Sequence, residues 1–209
     1  MNYIYQLKCK LQYTRPVVFR TILVNSNITF YELHHLLQIV MGWYNCHLFN
    51  FKYHDYYLEL PNVDDDNYNT IGMFQKVDPR KITLNEFFIS TKTVINYTYD
   101  FGDNWMHEIT LQKIIDPEKV SFPLPVCIKG KYACPPEDCG SIPGYYRLIE
   151  VMKNPKHKEY KFYKQWMGDS FDMEEFNIDD VNEELKGLKD YIADWEHDQK
   201  FDDQGRLLF

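Results

Sequence analysis

No apolar run in the sequence approaches the roughly 18 residues that cross a membrane as a helix, so no membrane role is expected. Positive charge is also short: 23 Lys and Arg stand against 31 Asp and Glu, a net charge of −8. A broad nucleic-acid surface needs clustered cations to displace counterions. No basic run is present, and nucleic acid is an unfavoured partner. There is no Gly-rich phosphate loop, no Ser-His-Asp order and no His-Glu-x-x-His, so common signatures of nucleotide, acyl-transfer and metalloprotease chemistry are missing. Internal repeats and low-complexity tracts are absent as well. The cysteines number five, and the first residues alternate instead of forming an apolar leader. Reduced thiols and a cytoplasmic location are therefore the expectation.

What the chain does have is aromatics. Seventeen Tyr and 14 Phe bring the aromatic share to 17%, which favours β-rich structure and stacked ring packing. At 209 residues it is long enough for one full core. Tyr5, Leu7, Cys9, Leu11 and Tyr13 alternate with polar residues, the mark of an antiparallel strand packed on one side. Val17–Val24 returns as its hairpin partner. Thr29 with Glu32 forms a capping-box spacing, and Gly42 ends the helix between them. On that helix His34 and Gln38, four apart, are expected on a solvent edge. Phe49, Phe51 and Tyr53 alternate in a further strand. Residues 61–80, with the acids Asp64–Asp66, read as a surface loop, and 84–89 as a short helix. Val94–Tyr99 and Met106–Ile115 make a second hairpin about Asp-Phe-Gly-Asp. Residues 116–145 hold six of the ten prolines and read as irregular. Helices follow, one of them over 179–197, and the tail from Phe201 is expected to be loose.

The fold class expected from this order is α+β: a β-grasp-like mixed sheet with one helix across it, plus C-terminal helices. The organisation expected is a core over 1–115, a Pro/Gly/Cys-rich connection packed on it over 116–145, and a helical extension of the same domain over 146–200.

Seven segments occur in one recognisable order: Arg15-Pro-Val-Val-Phe-Arg20, Thr29-Phe-x-x-Leu-His-x-x-Leu-Gln38, Met41-Gly-Trp43, His47-Leu-x-x-Phe51, Tyr99-Asp-Phe-Gly-Asp-x-Trp-x-His107, Pro135-Pro-Glu-Asp-Cys-Gly140 and Trp166-x-Gly-Asp-x-Phe-Asp172. Through them the chain resembles the plasmid pRiA4b ORF-3-like family over about residues 5–185. The resemblance implies a mainly sheet domain with flanking helices, found on plasmids, mobile elements and chromosomes, without a settled activity. The chain departs from the pattern at Phe19-Arg20-Thr21, at Ser141 and at Phe171-Asp-Met-Glu-Glu-Phe-Asn177.

Several constellations carry chemistry. Asp100, Asp103 and His107 surround a hairpin turn; with Glu137 and Asp138 on a proline-stiffened loop they make a candidate set for a metal-dependent hydrolase. The plain alternative is that the aspartates cap the turn while Trp105 and His107 pack. Cys127, Cys134 and Cys139, joined by His107, form a candidate site for zinc or another divalent cation, though their spacing matches no familiar finger. Trp43 and His47 lie at a loop mouth where rings can stack on a partner. With Trp105, Pro135, Pro136, Arg20 and Arg147 they form the candidate binding set, the two arginines offsetting crowded acids. The leading functional expectation is a protein- or peptide-binding module tied to plasmids or mobile elements. A DNA-associated accessory role is a further alternative, opposed by the net charge. Finally, the Asp-Phe-Gly-Asp turn and the Pro-Pro-Glu-Asp-Cys-Gly loop are expected to pack together at one site, with Trp105 and Tyr99 over the prolines.

Overall fold

Alternation along Ile4–Leu11 (β1) buries Tyr5, Leu7, Cys9 and Leu11 on one face, and this strand lies inside the sheet, paired on both sides. The computed structural model describes residues 2–62, 70–71, 74–168 and 172–208. Strand β1 pairs antiparallel with Phe19–Asn25 (β2) on one side. On the other it pairs antiparallel with the long strand Trp105–Ile115 (β8). Outward from β8 come Val94–Tyr99 (β7), Phe49–Tyr53 (β3), Tyr56–Leu58 (β4), Phe74–Val77 (β6) and Thr70–Ile71 (β5). Val126–Lys131 (β9) closes the far edge beside β2. The nine-stranded order is β5-β6-β4-β3-β7-β8-β1-β2-β9.

The chain is therefore α+β with a mixed sheet, one helix against it and helices at the C-terminal end. The β-grasp-like detail does not extend to the pairing. The central strands run antiparallel, and among the described strands the parallel pair is β4 with β6. Two stretches read as irregular contain strands. Strand β9 lies beyond the last proline of its cluster, at a sheet edge, where such sequences are tolerated. Strand β6 lies within 61–80, and the acids 64–66 fall outside the described residues.

Helix α1 (Phe30–Met41) starts at a capping box with both arms formed. Glu32 Oε2 accepts from Thr29 N at 2.7 Å, and Thr29 Oγ1 accepts from Glu32 N at 3.1 Å. It ends at Gly42 in the left-handed region, φ 80°, where a Cβ would be strained. The solvent edge expected for His34 and Gln38 does not exist. Eleven of its twelve residues are buried, because α5 (Ile178–Lys186) and α6 (Leu188–Asp198) lie against α1 on the side away from the sheet. The third C-terminal helix thus breaks in two at Gly187. Before it come α2 (Leu84–Phe87), α3 (Ser141–Met152) and α4 (Tyr160–Met167).

The chain beyond Phe201 is also tied down. Leu207 is buried and bridges to Asn62 and Phe201. Arg80 Nη2 donates to Gly205 O at 2.9 Å, and Arg206 Nε to Asp202 Oδ2 at 2.7 Å. Its composition hid this, since the anchors are distant in sequence. Among the described residues no helix is long and apolar enough to cross a membrane.

Candidate functional site

Three chain segments converge at one end of the sheet. The first is the exit from α1. Trp43 is buried and stacks on Tyr99, centroids 4.9 Å apart. Asn45 takes a left-handed φ of 59°, and it ties two helices, α1 and α6, to this segment. Its Oδ1 lies 2.8 Å from His34 Nε2, its Nδ2 3.1 Å from His35 Nδ1, and its backbone O accepts from Trp195 Nε1 at 3.0 Å. Tyr97 OH completes this network, 2.8 Å from His34 Nδ1 and accepting from Gln38 Nε2 at 2.9 Å. Burial holds both histidines uncharged: it pushes the His35 pKa down to about 3 and takes His34 well below its ordinary value. The segment that delivers His47 is thereby fixed to the helix layer.

The second segment is the turn after β7. Asp100 sits at φ 55°, its Oδ1 accepts from Gly102 N at 2.8 Å, and its own N–H donates to Leu48 O at 2.8 Å. A left-handed Asp stabilised by such a local bond is the chemistry expected of a tight turn.

The third segment is the proline loop. Pro135 O accepts from Trp43 Nε1 at 2.9 Å. Glu137 Oε1 accepts from Tyr99 OH at 2.6 Å and from Tyr44 N at 3.0 Å. Asp103 Oδ2 accepts from Gly140 N at 3.1 Å. Gly144 lets α3 begin against this loop, since a Cβ there would lie 1.8 Å from Cys139 O. The turn and the proline loop therefore meet. Trp43 and Tyr99 form the hydrogen bonds to the proline loop, while Trp105 is fully buried beneath.

Where they meet, His47 stands between two aspartates. Its Nδ1 is 3.9 Å from Asp100 Oδ1 and its Nε2 3.4 Å from Asp138 Oδ1. The Asp100 side chain is 10% exposed and that of Asp138 76%. Asp138, like Asp100, adopts a left-handed backbone, φ 57°. Left-handed non-glycine residues clustered at one place are a mark of functional sites.

Beside Asp138 opens a cleft of about 650 Å³. Its walls carry six carboxylates, from Glu137, Asp138, Asp172, Glu175, Asp180 and Glu184, with the rings of Tyr44 and Trp166. Tyr44 is 81% exposed and Trp166 41%. Arg20 reaches the floor, but its Nε and Nη1 are occupied. Nε bonds Val40 O at 2.7 Å, and Nη1 bonds Phe19 O and Lys131 O at 2.9 and 3.1 Å. Phe176 covers the guanidinium face at 3.8 Å. Val40 O lies in the last turn of α1, where carbonyls lack helical partners and the dipole favours a cation. Arg20 thus staples the helix end to the sheet edge.

The remaining candidates are dispersed. His107 lies in the core, 5.3 Å from both Trp43 and Tyr97, and burial lowers its pKa to about 3. Among the described residues no three of Cys127, Cys134, Cys139 and His107 bring ligand atoms together. Cys134 Sγ instead contacts Met41 Sδ at 3.2 Å. Burial raises the thiol pKa values of Cys134 and Cys139 to about 11 and about 12, which marks packing thiols and not nucleophiles. Arg147 pairs with Glu159 and Glu150, at 3.0 and 3.3 Å. Of the five residues set out for hydrolysis, Asp103 and Glu137 hold the loops together, His107 is in the core, and Asp100 and Asp138 flank His47. Sequence reasoning did not link His47 to those aspartates, nor Asp172, Glu175, Asp180 and Glu184 to a site. Asp180 and Glu184, one helical turn apart, were the available signal.

An α+β protein with an acid-lined cleft beside a histidine–aspartate cluster is the class that fold and geometry define. The family model for plasmid pRiA4b ORF-3-like protein matches residues 3–180, and the chain belongs to that family. It is 30% identical over 192 residues to "Uncharacterized protein y4hQ" of Sinorhizobium fredii (strain NBRC 101917 / NGR234), covering 91% of this chain and 93% of that one. Its fold is similar to the crystal structure of a protein of unknown function, MM3350, from Methanosarcina mazei Go1. That likeness has a TM-score of 0.70 and 35% identity, over 87% of this chain and 98% of the other.

Proposed function

We propose that the protein is a binding module whose cleft receives a cationic segment of another protein. Lys or Arg side chains would sit between the cleft carboxylates and the rings of Tyr44 and Trp166. The observation that carries this reading is the imbalance of the cleft walls. Among the described residues six acids and one arginine line it, and that arginine spends Nε and Nη1 on backbone carbonyls. Such a surface attracts a positive partner and repels a phosphate backbone. Each exposed ring adds an attraction of roughly 0.5–1 kcal/mol for a cation stacked on it. The association with plasmids rests on the family's name.

Fluorescence anisotropy with a labelled Lys/Arg-rich peptide tests it, against a Glu-rich counterpart of equal length. Two triple variants separate a site from bulk charge. Glu175→Gln/Asp180→Asn/Glu184→Gln removes cleft charge, and Asp190→Asn/Asp194→Asn/Asp198→Asn removes as much from exposed positions of α6. Binding weakened at least ten-fold by the first and little by the second supports the module. Equal loss in both, or no binding to the basic peptide, counts against it.

A further inference from the structure

The cluster at His47 does more than rim the cleft. We propose that His47, Asp100 and Asp138 form a binding site for one divalent transition-metal cation of the zinc, manganese or cobalt kind. Each residue offers one ligand atom, and the three atoms lie within 4.8 Å of one another. They come from three separate segments: the exit of α1, the turn after β7 and the proline loop. Donors about 2.1 Å from a metal stand roughly 3.0–3.5 Å apart in octahedral or tetrahedral geometry. One ring nitrogen of His47 ligates one ion, so the three ligand atoms, within 4.8 Å of one another, draw together by about 1–2 Å to reach that range.

A second observation points to a missing partner. Asp100 is nine-tenths buried, yet among the described residues no Lys or Arg pairs with it. His47 turns Nδ1 toward it at 3.9 Å, and the other ring nitrogen, Nε2, is closed to solvent and has no hydrogen-bond partner among the described residues. The 3.4 Å approach of Asp138 Oδ1 lies off hydrogen-bond geometry. A buried carboxylate without a counter-charge is costly, and the exposed Asp138 brings a second negative charge to the same imidazole. A divalent cation neutralises both and gives the idle ring nitrogen a partner.

The donor set narrows the choice of ion. Carboxylates alone suit calcium or magnesium, whereas imidazole selects first-row transition metals. Three protein donors leave positions open for water or a ligand group. The open side would face the cleft, because Asp138 lines it. Asp100 would be held in place by Gly102 N, which bonds its Oδ1 at 2.8 Å, the kind of support that orients a metal ligand.

The test is titration of the full chain, stripped with a chelator and dialysed, with Co²⁺ followed by its visible absorption, and with Zn²⁺ by calorimetry. One equivalent is expected to bind. Asp138→Asn and His47→Gln are each expected to weaken Co²⁺ binding at least ten-fold. The Asp138 side chain is 76% exposed, so that variant keeps its fold, which a matching thermal melt verifies. Asp100→Asn acts on a tight turn and serves only alongside it. Asp194→Asn, an exposed change on α6 outside the trio and the cleft, should leave the titration unmoved. Absence of saturable binding overturns the proposal, as does binding that survives Asp138→Asn and His47→Gln together. The peptide measurement uses the chelated protein, so either proposal can fail without the other.

Discussion

The Tyr99 hydroxyl lies 2.6 Å from Glu137 Oε1 and accepts in turn from Cys46 N at 3.0 Å. One phenol therefore ties together the strand, the proline loop and the segment that carries His47. Removing it leaves a half-buried carboxylate and a backbone N–H short of a partner, at a cost of about 1–3 kcal/mol. Urea unfolding of Tyr99→Phe is expected to show that loss with an unchanged slope. A neutral result would mean that the loops are held by other contacts.

Acid should destabilise the fold before its carboxylates titrate. Burial keeps His34, His35 and His107 neutral, with the latter two at about 3, while in the unfolded chain each titrates near about 6.5. Their folded values are depressed, so the unfolded chain binds the extra protons. Their contribution is complete above about pH 6.5 and is lost as pH falls below it, at about 1.4 kcal/mol per pH unit for each histidine. Unfolding free energy measured between pH 7 and pH 4.5 should fall steeply. His107→Asn should flatten the slope by about a third, whatever it does to stability at pH 7.

Gly144→Ala should be among the most damaging small substitutions in the chain. Its Cβ would lie 1.8 Å from Cys139 O and 2.7 Å from the carbonyl carbon, and backbone on both sides must move. A loss of about 2–4 kcal/mol is expected. Gly42→Ala has open space but a φ of 80°, and should cost only about 1 kcal/mol. Thermal melts of the two variants side by side check the order.

Thiol titration reads the core directly. Cys46 is exposed, whereas Cys9, Cys127, Cys134 and Cys139 are buried. Burial, with Glu137 nearby, still raises the Cys46 pKa, so its reaction should be slow at neutral pH. One thiol per chain is expected to react with an aromatic disulfide reagent in the native state, and five after unfolding. Two or more native equivalents would mean that the proline loop opens.

Much of this was legible in the chain. Alternation in Tyr5–Leu11 and the Thr29/Glu32 spacing are local signals, and the structure honours them. The meeting of the 100–104 turn with the 134–140 loop was legible too, because neither can bury itself. What was hidden depends on partners far away in sequence. His34 and Gln38 look like a solvent edge until α5 and α6 cover them. His107 looks like a partner of Asp100 and Asp103 until alternation on β8 takes it into the core. His47 takes its place opposite Asp100 only because β3 pairs with β7, setting Phe49 against Tyr99. Arg20 reads as a free cation in sequence and turns out to be spent on the end of α1.

A cationic partner is expected to bind in the acidic cleft. Hydrogen exchange of the backbone amides, with and without a saturating Lys/Arg-rich peptide, tests it most directly. The cleft walls include residues 133–138 and, on α5, Asp180, Val181 and Glu184. Peptide should therefore slow exchange in those two stretches and leave the β3–β4 and β6 edge of the sheet unchanged. Protection spread evenly over the acidic surface, or confined to the far edge, would contradict it.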